Sequence, residues 1–204
     1  DDDLSRGLGD VYKRQIEGVQ GTGDEFLDSN HIMATAKHFI GDGGTFKGID
    51  KGDTRISEGG LKNIHGTPYY SAFEACVQSV MASFNSWNGV KMHGHEYLLT
   101  DVLRDQMGFN GLVVGDWNGH GEVPGCTNAN CPESFNAGVD IYMAPDEWKE
   151  LYTNTVRAVK AGDISEDRLD DAVRKILTVK DRLGMLDGRK PHEYENYVGK
   201  IEHR

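Results

Sequence analysis

The sequence predicts an α/β fold of about four parallel βα units, half of a (β/α)8, TIM-like barrel. Three observations predict it. Short apolar runs alternate with amphipathic segments, the pattern of successive βαβ units. Each run ends on polar or aromatic residues, so the strand ends share one mouth. The rival, a doubly wound sheet, lacks its markers: no G-x-G-x-x-G follows a strand, and Gly41-Asp42-Gly43-Gly44 lacks the Lys-Ser/Thr of a phosphate loop and reads as a tight turn.

Taken in order, Asp1 to Gln15 mixes acidic and basic residues with neither helical nor strand periodicity. It reads as a remnant foreign to the domain, or at most a frayed arm. Residues 16–190 form the half barrel. Its first strand is Ala34 to Phe39. Thr67-Pro68 reads as an N-cap followed by Pro at the first helical position, with the helix running to about Gln78. Val80 to Phe84 is the second strand. A helix from about Thr100 to Met107 stops at Gly108, placed as a C′ glycine. Leu112 to Gly115 is the third strand and Val139 to Met143 the fourth. Helix Glu147 to Ala161 ends at Gly162. The last helix follows Ser165, carries Leu169, Ala172, Val173, Ile176 and Val179 at helical spacing, and ends near Gly184.

Bulk properties exclude several classes. The chain has 204 residues, room for one domain with a sizeable core. Its net charge is −11, from 22 Lys+Arg against 33 Asp+Glu, with no basic stripe. Nucleic acid and anionic membrane surfaces are therefore not expected partners. No apolar run approaches the roughly 20 residues of a membrane helix.

The most informative residue is Asp116, in Gly111-Leu112-Val113-Val114-Gly115-Asp116-Trp117-Asn118-Gly119-His120. A carboxylate at the end of a strand covered on both faces is aimed by a rigid element while its loop stays open to ligand. Trp117 beside it offers a flat apolar surface on which a sugar ring packs. A plain capping role for Asp116 is the alternative.

Three motifs extend this reading: Ala36-Lys37-His38-Phe39-Ile40-Gly41-Asp42-Gly43-Gly44-Thr45, Ser86-Trp87-Asn88-Gly89-Val90-Lys91-Met92-His93 and Gly115-Asp116-Trp117. In this order and spacing they resemble glycoside hydrolase family 3, with the β-glucosidases and β-glucan exohydrolases as the nearest likeness, over about Ile16 to Arg204. The resemblance makes this the C-terminal half of the barrel and implies retaining, exo-acting release of terminal β-D-glucosyl residues from β-glucans or oligoglucosides. It implies Asp116 as nucleophile, Lys37 and His38 as holders of sugar hydroxyls in the −1 subsite, and Met81 and Trp117 as its lining. Phe84 stands where some relatives have Tyr, so a hydroxyl contact there is absent. The acid/base glutamate would come from an α/β sandwich domain, with 191–204 as the start of the linker to it. The Pro-Gly-His-Gly-Asp and Asp-Ser-His signals of the family's β-N-acetylhexosaminidase branch do not occur after His38. No acid/base is therefore expected within the chain, and no cofactor.

The chemistry is consistent with these roles. A retaining glycosidase needs one ionised carboxylate to attack the anomeric carbon and a second carboxyl about 5–5.5 Å away. Lys37 close to Asp116 would favour its charged form. Two rivals stand beside this reading: a Schiff-base barrel lyase using Lys37, and a non-catalytic glucan-binding module. His93, His95, Glu96 and His120 invite a metal reading, which the spacing does not support. Asp50, Lys51, Gly52 and Asp53 read as a solvated turn. Cys76 reads as a small buried residue within a helix. Cys126 and Cys131 flank a polar loop: a disulfide would suit an exported enzyme, reduced thiols a cytosolic one. The resemblance favours a periplasmic or secreted protein, and the two cysteines are expected within the Cα separation of about 7 Å that a bridge requires.

Overall fold

The computed structural model describes residues 2–188 and 199–200, with side chains from residue 10 onward. Its strands are β1 (Thr35–Phe39), β2 (Asp53–Thr54), β3 (Ser79–Ala82), β4 (Ser86–Trp87), β5 (Val90–Lys91) and β6 (Leu112–Val114). The central sheet runs β1-β3-β6 and is wholly parallel, with Ala36 opposite Val80 and Val80 opposite Val113. Phe39, Val80, Val113 and Val139 are fully enclosed, along with Met92, Leu99 and Leu103. A parallel sheet covered on both faces needs such unbroken apolar runs. The smaller sheet pairs β2 parallel and β5 antiparallel with β4, folding as an excursion beside the C-terminal ends of β1 and β3.

The fourth strand shrinks to one parallel bridge, Val114 with Ile141. The Asp140 carboxylate explains this. It accepts the Val113 N–H at 2.8 Å, taking a donor on that edge of β6, and a polar side chain thereby replaces part of the ladder. The sheet thus has three strands and a bridge in place of four strands.

Helices are α1 (Asp2–Gln20), α2 (58–74), α3 (Tyr97–Gln106), α4 (Pro132–Ala137), α5 (Trp148–Ala161) and α6 (Glu166–Arg182). α1 corrects the reading of the first fifteen residues as lacking regular structure. It packs on α2, with Lys13 Nζ 3.4 Å from Glu74 and Ile16 buried. Gln20, fully enclosed, donates to the Cys76 carbonyl and accepts the N–H groups of Ala34 and Gln78. One amide thereby ties this helix to the entries of β1 and β3. Gly7, Gly9 and mixed charge hide the helix from propensity reasoning, and tertiary packing supplies what propensity lacks.

α2 begins ten residues before the expected start. Ser57 is its cap, accepting the Gly60 N–H, and Thr67-Pro68 lies inside it. A widened, π-type stretch over Leu61–Gly66 precedes the proline, where ring and missing donor interrupt regular bonding. Cys76 follows α2 in a left-handed turn (φ 56°) and is exposed, not buried in a helix. α3 also has π-type bonding and ends at Gly108 (φ 74°) as expected. Ser165 caps α6 by accepting the Arg168 N–H at 3.1 Å, and Gly162 closes α5 with φ 86°. The expected linker from 191 onward lies outside the described residues apart from 199–200. No described helix is long and apolar enough to cross a membrane.

Candidate active site

β1 delivers Lys37 and His38, the end of β3 delivers Met81, Ser83 and Phe84, and the end of β6 delivers Asp116 and Trp117. The site lies where these parallel strands stop.

His38 and Asp116 come together. His38 Nε2 lies 3.5 Å from Asp116 Oδ2, and His38 Nδ1 lies 3.6 Å from Asp42 Oδ2. The imidazole thus stands between two carboxylates, one on the turn after its own strand. Asp116 Oδ1 accepts the Trp117 N–H at 2.7 Å, which leaves Oδ2 as the oxygen open to other partners. The carboxylate is largely shielded, with 17% of the side chain exposed. Its own N–H donates to His93 Nε2 at 2.8 Å.

Lys37 is placed otherwise. It is exposed and lines clefts with Tyr12, Gln15 and Ile16 of α1 on one side and His38, Asp42 and His65 on the other. Among the described residues no ion pair joins it to Asp116 within 4 Å, so His38 is the basic group adjoining the carboxylate. The Lys37-His38 and Phe39-Ile40 peptide bonds are cis.

Met81 is half-buried between Val80 and Ala82. Phe84 has His93 on one side, with ring centroids 5.9 Å apart, and Lys51 Nζ 4.4 Å from its ring centre. Trp117 is 59% exposed, so its indole face is available to a ligand.

The solvated turn at 50–53 does more than its sequence implies. Lys51 reaches Glu122 at 3.0 Å, and Lys91 approaches the same carboxylate at 3.6 Å while donating to the Phe84 carbonyl. The hydrogen bond and charge of Lys51 hold the Glu122 pKa below the usual carboxylate range. This cluster joins the loop after Asp116 to the backbone at Phe84. Lys51 and Glu122 stand 71 positions apart, and only Glu122's position in the loop after Asp116 hinted at it.

The histidines of the metal reading are committed elsewhere. His120 Nε2 faces the Asn128 carbonyl at 2.8 Å, and its ring packs on Tyr142. Among the described residues, the only cluster with metal-ligand spacing is Cys126, Cys131 and Glu133. Both cysteines are spent in a disulfide with Cα atoms 4.8 Å apart, as the sequence led us to expect.

Comparison with known proteins places these observations. Residues 8–179 match the model of the glycosyl hydrolase family 3 N terminal domain. A β-xylosidase of Formosa agariphila is 37% identical over 203 residues, covering 93% of this chain and 28% of that protein. The periplasmic β-glucosidase of Salmonella typhimurium is 32% identical over 200 residues, covering 92% of this chain and 26% of the relative. The crystal structure of a Q683A mutant of the exo-1,3/1,4-β-glucanase ExoP from a Pseudoalteromonas species superposes with a TM-score of 0.92 at 46% identity, covering 98% of this chain and 33% of the other. The chain therefore spans about a third or less of the proteins it matches.

Proposed function

The chain belongs to glycosyl hydrolase family 3, and we propose that it carries the nucleophile and part of the −1 subsite of a retaining, exo-acting β-glucosidase or β-glucan glucohydrolase. The observation that carries this is Asp116 at the end of β6, with Oδ1 taken by the Trp117 N–H and Oδ2 facing His38. Oδ2 is the attacking oxygen. It displaces the aglycone from the anomeric carbon to give a glycosyl ester, which water then hydrolyses.

His38 and Lys37 hold sugar hydroxyls, and hydrogen bonds to the ring strengthen as it flattens toward the oxocarbenium-like transition state. Met81 and Phe84 line the subsite and Trp117 stacks on a sugar face. The second carboxyl comes from outside this chain, in keeping with relatives about three to four times its length. Exposure of Lys37 disfavours the Schiff-base lyase, which needs a desolvated lysine. The disulfide and the periplasmic relative together support an exported protein.

The test uses the full-length enzyme that includes this chain. A 2-deoxy-2-fluoro β-glucoside with a good leaving group should leave a glucosyl adduct on the peptide bearing Asp116. Asp116→Ala should abolish turnover of aryl β-glucosides, and Asp50→Ala should not. An adduct on any other residue overturns the assignment. Residues 1–204 alone should release at most a slow burst of aglycone from an activated aryl glucoside. Robust cleavage of an unactivated disaccharide by this segment would place an acid/base within it.

A further inference from the structure

We infer that His93 is a positioning residue for the nucleophile: its unprotonated Nε2 holds the Asp116 backbone and so sets where the carboxylate points. This rests on the reading of Asp116 as nucleophile. The imidazole sits on the short turn Met92–Gly94 after β5 and is 2% exposed. Its Nε2 accepts the Asp116 N–H at 2.8 Å, which requires a lone pair there and hence the Nδ1–H tautomer. The Ser83 backbone also interacts with the ring and favours its protonated form. One neutral ring thus holds the end of β6 by a hydrogen bond and lies against Phe84, just after β3.

The surroundings are shaped around that ring. A Cβ on Gly119 would overlap His93 Nε2 and Cε1, and one on Gly115 would lie 3.4 Å from its Cδ2. Phe84 closes a further side. Burial pulls the His93 pKa down to about 4; Asp116 and the Ser83 backbone oppose this, while His120 and Lys91 add to it. The ring is neutral at ordinary working pH, the form in which it accepts. With its backbone N–H held by His93 and Oδ1 held by the Trp117 N–H, Asp116 keeps few torsions free. His93 itself is enclosed and is not one of the residues assigned to the sugar. Its effect is on the aim of Oδ2, where misplacement of about 1 Å costs about 10²-fold in rate.

Two polar replacements separate this from a packing role. In His93→Gln the side-chain carbonyl reaches the Nε2 position and can still accept; in His93→Asn an amide donor remains near Nδ1, but nothing reaches Asp116. In the full-length enzyme we expect His93→Asn to lower kcat on an aryl β-glucoside, and the rate of fluoroglucoside trapping, about 10²-fold with KM little changed. His93→Gln should recover most of that loss. Gly119→Ala, whose methyl would overlap Nε2 and Cε1 of the ring, should behave like His93→Asn. Thermal midpoints identify which variants fold, and any folded pair decides the matter. Equal kcat for His93→Gln and His93→Asn, or wild-type kcat in Gly119→Ala, overturns the proposal. Activity surviving in Asp116→Ala would instead overturn the nucleophile reading on which it rests.

Discussion

Asp140→Asn removes one charge from the middle of the domain while keeping the side chain's shape. The carboxylate is fully buried. Its Oδ2 accepts from Arg104 Nη2 at 2.6 Å and from the Val113 N–H at 2.8 Å. Its Oδ1 lies 3.0 Å from Arg168 Nη2, within ion-pair range but without hydrogen-bond alignment. The two arginine side chains are 12% and 16% exposed, and burial already pulls the Arg104 pKa down. Without Asp140, among the described residues they retain Asp171, 3.6 Å from Arg168, as a carboxylate within ion-pair range. Removing one partner of a buried ionic group costs about 3–5 kcal/mol, because a charge is left uncompensated in a poorly solvated site. The asparagine carbonyl can still take the Val113 N–H, so the lower end, about 3 kcal/mol, is expected. Asp140→Ala also strands that N–H and should cost about 1–3 kcal/mol more. Urea unfolding followed by the fluorescence of the three tryptophans measures both. A shielded network is screened little, so the difference should persist in about 1 M salt. A loss below about 1 kcal/mol for Asp140→Asn would show that water reaches the arginines and that the site is not desolvated.

Two further outcomes follow from the structure. His93 binds its proton more weakly in the fold, at about 4, than in the unfolded chain at about 6.5. The unfolded state therefore takes up more protons between these values, and stability should fall as pH drops through this window, by about 3 kcal/mol from this group alone. Burial pushes His65, His95 and His120 in the same direction. Thermal midpoints recorded from pH 7 to 4 check this, and His93→Gln should flatten the slope; an unchanged slope in that variant counts against a buried neutral His93. For the disulfide, replacing Cys126 and Cys131 by Ser opens a loop with four intervening residues, which should cost roughly 2 kcal/mol through the unfolded chain. A thermal midpoint unmoved under oxidising conditions would argue that the bridge does not form.

Much of the sheet and its mouth was legible because core strands advertise themselves. Val80, Val113 and the Phe39 end of β1 sit in short apolar runs, and His38, Phe84 and Asp116 end those runs as expected. The sequence was less legible wherever a distant side chain settles a local choice. Asp140 reads as an ordinary residue within an apolar stretch, yet by taking the Val113 N–H it cuts the fourth strand to a bridge. Gln20 carries no local signal and ties α1 to two strand entries. Thr67-Pro68 satisfies every rule for a helix start, but Ser57 already supplies the cap and a widened turn absorbs the proline. Lys37 and His38 are adjacent in sequence, and only His38 adjoins Asp116 within ion-pair range.

The separation between His38 and Asp116 is too long for a strong direct hydrogen bond, so other contacts must set it. Those contacts converge on the end of β3. The Ser83 N–H donates to the Phe39 carbonyl at 2.6 Å, fixing the residue after His38. The Asn85 amide nitrogen, fully buried, is shared among the Ile40 carbonyl at 3.2 Å, Thr54 Oγ1 at 3.0 Å and the Ser86 carbonyl at 3.0 Å. Thr54 Oγ1 in turn donates to the Gly41 carbonyl at 2.7 Å. The turn after His38 is therefore held by Asn85, while Asp116 is held by His93, whose ring lies against Phe84 just after β3. Asn85→Ala strands the Ile40 carbonyl and loosens Thr54, with a stability cost of about 1–3 kcal/mol. If the end of β3 is the common reference for β1 and β6, the same variant should also lower kcat, because the turn carrying Asp42 and the ring of His38 are freed to drift from Asp116. A folded Asn85→Ala enzyme that loses thermal stability but keeps wild-type kcat would show that β1 and β6 are aligned independently.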